Sequence, residues 1–190
     1  MLSMTGRGSR ARSARAGFTL IELMFSFGAL LVVLLGFTRM LLSSHMAAST
    51  GHEATLAKEA GRSMIEVLQA ADFAQVFALY DATGQDDPGG ANTAPGAGFA
   101  VRGLTAIEGD ADGLPGEILF PVQAGAPAVL REDLVLPNLF GELADLDADG
   151  NTDALDHSGD YRVLPVLVRV EWQSSGGNSR LEFRTVIGDF

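Results

Sequence analysis

The chain has no cysteine, three histidines and one tryptophan among 190 residues. Without cysteine there is neither a disulfide framework nor a thiol nucleophile. No G-x-S-x-G element and no phosphate-cradling glycine loop is present, so no enzymatic activity is expected. Proline is missing from residue 18 to residue 80. Positive charge is scarce as well: thirteen Lys and Arg stand against twenty-four Asp and Glu, a formal net charge of −11. Four of the thirteen (Arg7, Arg10, Arg12 and Arg15) lie in residues 1–17, which hold no acid. The chain from Phe18 onward therefore carries nine basic and twenty-four acidic groups, net −15. Residues 81–160 alone hold sixteen acids against Arg102 and Arg131. Such a field repels phosphate backbones, so no nucleic-acid partner is expected.

What the chain does have is one long apolar run. Leu23 to Phe37 contains no charge, and from Phe18 to Thr38 Glu22 is the only ionisable side chain. A helix of that length spans about 30 Å, the thickness of a bilayer's hydrocarbon core. The arginines ahead of it hold its N-terminus on the cytoplasmic side. A secretory signal peptide places its small-residue cleavage site after the apolar core. Here the small residue, Gly17, precedes the core, so a cut at Gly17 leaves the apolar helix on the mature protein.

That arrangement, with Gly17-Phe18-Thr19-Leu20-Ile21-Glu22 as it stands here, resembles the prepilin signal of type IV pilins and type II secretion pseudopilins. The resemblance implies that a prepilin peptidase cuts between Gly17 and Phe18 and methylates the new amino group of Phe18. It also gives Glu22 a partner, the free α-amino group of Phe18 on a neighbouring subunit, so that the two charges neutralise each other in an apolar fibre core and set the register of assembly. A carboxylate among lipid tails costs roughly 2.5–3.5 kcal/mol on insertion scales, which marks Glu22 as functional by default. A local reading stands beside this one: Thr19 and Glu22 have the T-x-x-E spacing of a capping box at a helix start.

Residues 18–80 read as one long helix, with 18–38 its transmembrane or fibre-core half and 39–80 its amphipathic half. Leu56, Ala60, Met64, Val67, Ala71 and Ala74 recur at steps of three and four and predict one apolar face. His45 and His52 read as surface residues. Residues 81–98 are rich in Gly, Pro and Asp and predict a loop. Short strand candidates follow at 99–104, 117–122 and 129–136. The strongest strands come last, at 161–172 and 180–187, alternating apolar and polar residues and joined by QSSGGNS. Covering the apolar side of this hairpin with the helix stripe gives an α+β, pilin-like fold: a long N-terminal helix on a small antiparallel sheet, with 81–190 as the periplasmic or extracellular region.

A second motif lies at 145–156. Asp145, Asp147, Asp149, Asp153 and Asp156 occupy positions 1, 3, 5, 9 and 12, with Gly150 at 6 and the Asn151 carbonyl at 7. That is an EF-hand-like calcium loop spacing, although no helix pattern follows it. The alternative is an acidic solvated turn. His157 beside it reads as a bystander.

The expected function is a minor type IV pilin resembling the V type, processed by prepilin peptidase and joined to other pilins through the N-terminal helix. It would be a single-pass inner-membrane protein with a periplasmic domain before assembly into a surface pilus. The alternatives are a minor pseudopilin of type II secretion resembling the I type, and a membrane-anchored, calcium-dependent binding or adhesive module.

Overall fold

A computed structural model describes residues 17–125, 127–134 and 143–188. The arginine-rich leader 1–16, and residues 135–136 at the end of the third strand candidate, lie outside them. The chain divides into two compact units, Met1–His45 and Met46–Phe190, with the boundary inside the first helix. That helix, α1, runs Leu20–Ala70. Its start is set by Thr19, whose Oγ1 accepts from the Glu22 N–H at 3.3 Å and whose carbonyl accepts from Leu23 N–H at 3.2 Å. This is the N-cap half of the predicted capping box.

In the first unit every described residue of α1 is solvent-exposed. An all-round apolar helix that buries nothing within its own chain is a helix made for another apolar environment.

The second unit carries the fold. After Ala70 the chain bends through Asp72, which is extended (φ −63°, ψ 115°), into a single 3-10 turn at Phe73–Gln75 and a short helix α2 at Val76–Tyr80. The predicted single helix over 18–80 is thus broken near its end. The physical reason is tertiary. Tyr161 Oη donates to the Phe73 carbonyl at 2.6 Å and accepts from Phe77 N–H at 3.4 Å, which pins the turn against the body of the domain. The turn directs Val76, Phe77 and Tyr80 into the core.

Residues 81–97 contain no helix or strand, and two buried acids organise this loop. Asp81 accepts from the Thr83 N–H and hydroxyl, and Asp87 from Thr93 N–H and Ala94 N–H. The strands are β1 Gly98–Phe99, β2 Gly116–Leu119, β3 Val122–Gln123, β4 Val129–Leu130, β5 Val163–Ser174 and β6 Gly177–Gly188. They form a four-stranded antiparallel sheet in the order β1-β2-β5-β6 and a separate β3-β4 pair. The first three candidates are shorter than predicted, and 117–122 is split between the two sheets. The closing hairpin is longer than predicted. Its ladder runs from Val163↔Gly188 to Ser174↔Gly177, so the connection is the two-residue turn Ser175-Gly176 rather than seven residues. Gly177, the first residue after the turn, lies at φ +118°, which glycine adopts without a Cβ clash.

Within this unit the helix covers the sheet: Ala60, Met64 and Ala71 of the predicted stripe pack part-buried against the core, but the most deeply buried positions lie beside that stripe. Ala57, Gly61 and Leu68 are buried, whereas Val67 is 45% exposed. The smallest side chains decide the contact. Ala57 packs with Val170 and Trp172, and Gly61 lies so close to the Phe183 ring that a Cβ there would overlap it. Trp172 Nε1 also donates to Glu53 Oε2 at 3.1 Å. A Gly61→Leu chain is expected to lose about 1–3 kcal/mol of stability through overpacking. Thermal unfolding followed by circular dichroism checks this; an unchanged melting temperature would mean the ring moves aside freely.

On the far side of the sheet, Arg169 pairs with Glu117 and Glu182, and Arg180 with Glu171. Leu167 interrupts this polar face and is buried beside Leu119.

Candidate functional sites on the N-terminal helix and in the acidic loop

Two places carry chemistry. The first is the start of α1. Phe18 is 80% exposed, and the helix behind it contains an 18-residue window of mean hydropathy 2.4, with no residue of that window buried. It is long and apolar enough to cross a membrane. Glu22 is exposed one turn into the helix, and among the described residues its carboxylate makes no ion pair. Gly17, Gly28 and Gly36 have open space where a Cβ would stand, so no contact among the described residues calls for glycine at any of them.

The second place is the loop from Asp145 to Tyr161. Its acids bend it by accepting backbone N–H groups two to five residues on. Asp145 takes Asp149 N–H and Gly150 N–H (3.1 and 2.9 Å), Asp147 takes Asp149 N–H (3.0 Å), and Asp149 takes Asn151 N–H (2.7 Å). Asp153 takes Leu155 N–H (2.7 Å) and Asp156 takes Ser158 N–H (2.9 Å). Gly150 makes the bend at φ +90°, and Ala148 is also left-handed at φ +62°, which costs a residue with a Cβ roughly 1–2 kcal/mol.

The loop is anchored from outside by Glu132, on the segment after β4. Glu132 is 2% exposed. Its Oε1 accepts from Leu146 N–H (2.5 Å) and Asp147 N–H (3.3 Å), and its Oε2 from Asp153 N–H (3.0 Å). Three backbone donors justify burying this carboxylate. The anchor lets Leu146 enter the main core fully buried.

His157 is 4% exposed and sits at the centre rather than beside the loop. Its Nδ1 is 3.2 Å from Asp160 Oδ1 and 3.9 Å from Asp147 Oδ2. Its Nε2 is 3.3 Å from Asp153 Oδ1 and 3.6 Å from Glu132 Oε2. Burial pulls the imidazole pKa down, and Asp153, Glu132 and Asp160 more than offset this, leaving it above the ordinary value. The Leu155 N–H, and after it His157, hold the Asp153 carboxyl low.

Among the described residues, three groups have ligand atoms close enough to hold a metal ion: Glu132, Asp153 and His157; Asp147, His157 and Asp160; and Glu132, Asp145 and Asp147. Of the acids predicted as a linear calcium set, Asp145, Asp147 and Asp153 enter these groups, while Asp149 and Asp156 enter none. Glu132, Asp160 and the central role of His157 were missed. Glu132 is fourteen residues from the Leu146 it anchors, and no local spacing connects the two.

No family model, curated protein or solved structure matches the chain.

Proposed function

We propose that this chain is a structural subunit of a pilin-like fibre, most like a minor type IV pilin of the V type. Prepilin peptidase cleaves it after Gly17 and methylates Phe18. It waits in the inner membrane with its acidic domain in the periplasm and then enters a fibre through its N-terminal helix. The observation that carries this reading is the start of α1: a glycine that no contact among the described residues requires, a Thr19-capped first turn, and the carboxylate of Glu22, without an ion pair among the described residues, on a stretch of helix whose residues are all exposed from Leu20 to His45. Capping uses the backbone N–H of Glu22 and leaves its carboxylate free for the amino group of a neighbouring Phe18. In an apolar fibre core that pair is strongly favoured over either charge alone.

Intact mass and N-terminal sequencing of the protein from sheared surface fibres and from membranes test the proposal. A chain beginning at methylated Phe18 in the fibre fraction supports it. The processed chain in membranes only points to a minor pseudopilin of type II secretion. A chain that keeps its arginine leader defeats the proposal. Glu22→Ala is expected to be processed normally yet be depleted at least tenfold from fibres. Wild-type incorporation by quantitative immunoblot would rule out the charge pairing.

A further inference from the structure

The surroundings of His157 pose a problem of hydrogen-bond count. A neutral imidazole has one N–H donor and one lone pair. Both ring nitrogens of His157 face carboxylate oxygens, which only accept. Whichever nitrogen carries the proton, the other is left as a buried acceptor aimed at acceptors. Nδ1 points to the exposed Asp160 and, farther off, to Asp147, whereas Nε2 points to the part-exposed Asp153 and to Glu132, whose side chain is only 2% exposed. A proton on Nδ1, donated to Asp160, therefore leaves the lone pair of Nε2 facing the buried Glu132 carboxylate with no donor to meet it.

Something positive belongs there, and a single extra proton is a poor match. Four carboxylates, those of Glu132, Asp147, Asp153 and Asp160, lie within 3.9 Å of the ring nitrogens. No Lys or Arg pairs with any of them among the described residues; the nearby Arg131 is taken by Asp133. An imidazolium offsets one of four negative charges, and a divalent ion offsets two while also using the lone pair.

We propose that Glu132 Oε2, Asp153 Oδ1 and His157 Nε2 form a binding site for a divalent ion of the zinc class. The spacing fits. Zinc takes nitrogen and oxygen ligands at about 2.0–2.2 Å in a tetrahedron, whose edges are then about 3.3–3.6 Å. Nε2 lies 3.3 Å from Asp153 Oδ1 and 3.6 Å from Glu132 Oε2. Asp160 at Nδ1 supplies the carboxylate–histidine–metal arrangement that fixes the tautomer and turns the lone pair of Nε2 inward. Water completes the fourth position. An imidazole nitrogen in a three-ligand set suits zinc better than calcium, which takes six to eight oxygens. The site differs from the linear loop set, because Asp149 and Asp156 take no part in it and Glu132 comes from another segment. The bound ion clips the loop to the segment after β4. None of this depends on the fibre assignment.

The test uses the full chain in detergent, purified without chelator and then stripped. Zinc, calcium and cobalt(II) are titrated separately, with calorimetry for affinity and visible absorption for cobalt geometry. Zinc is expected to bind one to one and raise the melting temperature, and cobalt to give the intense absorption of a tetrahedral site. Asp160→Ala, which removes the orienting acceptor, is expected to weaken zinc binding 10–100-fold with the fold intact by circular dichroism. Asp153→Asn is expected to abolish the cobalt band, and Asp149→Asn to leave it unchanged. The proposal is overturned if cobalt gives no tetrahedral band, if Asp160→Ala binds zinc as wild type does, or if calcium binds and Asp149→Asn removes that binding. It is equally overturned if zinc leaves the melting curve unchanged while stability falls as pH rises above the usual histidine range, because the cation would then be the imidazolium itself.

Discussion

A chain carrying Gly17→Leu is expected to accumulate in the membrane with its leader attached and to be absent from fibres. Loss of processing should be nearly complete, because a protease cleft that accepts an extended glycine has no room for a Cβ and a branched side chain. Such an effect is readily confused with misfolding at most glycines. Here the two separate cleanly: a Cβ at Gly17 meets nothing within 4 Å, and the residue precedes the first turn of α1. The melting curve of the Gly17→Leu chain should therefore match that of the precursor with the natural glycine. Intact mass reports the outcome. A Gly17→Leu chain that still begins at Phe18 would show that the cut site is elsewhere, and the proposed role would go with it.

The largest expected effect on stability is that of Phe77→Ala. Phe77 is 1% exposed in the main core and stacks edge-on against Phe120, with ring centroids 5.5 Å apart. Removing the ring leaves a cavity beside Phe120 in the core that also holds Leu68, Ile118, Leu164 and Val166. Such truncations cost about 3–5 kcal/mol. For a unit of this size the melting temperature should fall by on the order of 10 °C. The backbone N–H of Phe77 still donates to Tyr161 in the variant, so the shift reports on the ring and not on the turn. A shift of under about 3 °C (roughly 1 kcal/mol) would mean that the core collapses to fill the space and that the turn at Phe73 is held mainly by Tyr161.

The features legible in the sequence are those encoded in consecutive residues. The apolar run from Phe18 to Thr38 makes a helix that cannot be covered by this chain, because it has no polar face to leave in water. The spacing of Thr19 and Glu22 sets where the helix begins. Alternation in residues 161–172 and 180–187 yields the paired strands β5 and β6, since a period of two leaves one side of each strand apolar. The spacing of Asp145, Asp147 and Asp149 marks a loop closed by its own carboxylates.

Only the tertiary structure decided what depends on distant partners. Tyr161 breaks the helix after Ala70, although nothing in residues 70–73 is a strong helix breaker. The helix turns Ala57 and Gly61 to the sheet instead of Leu56 and Val67, because close approach favours the smallest side chains and the Phe183 ring takes the space they leave. Glu132 joins the acidic loop from outside, and with it His157 passes from bystander to centre. Periodicity records which residues are apolar, but the depth of a contact and the partner of a buried charge are properties of two segments at once. No single stretch of sequence contains both.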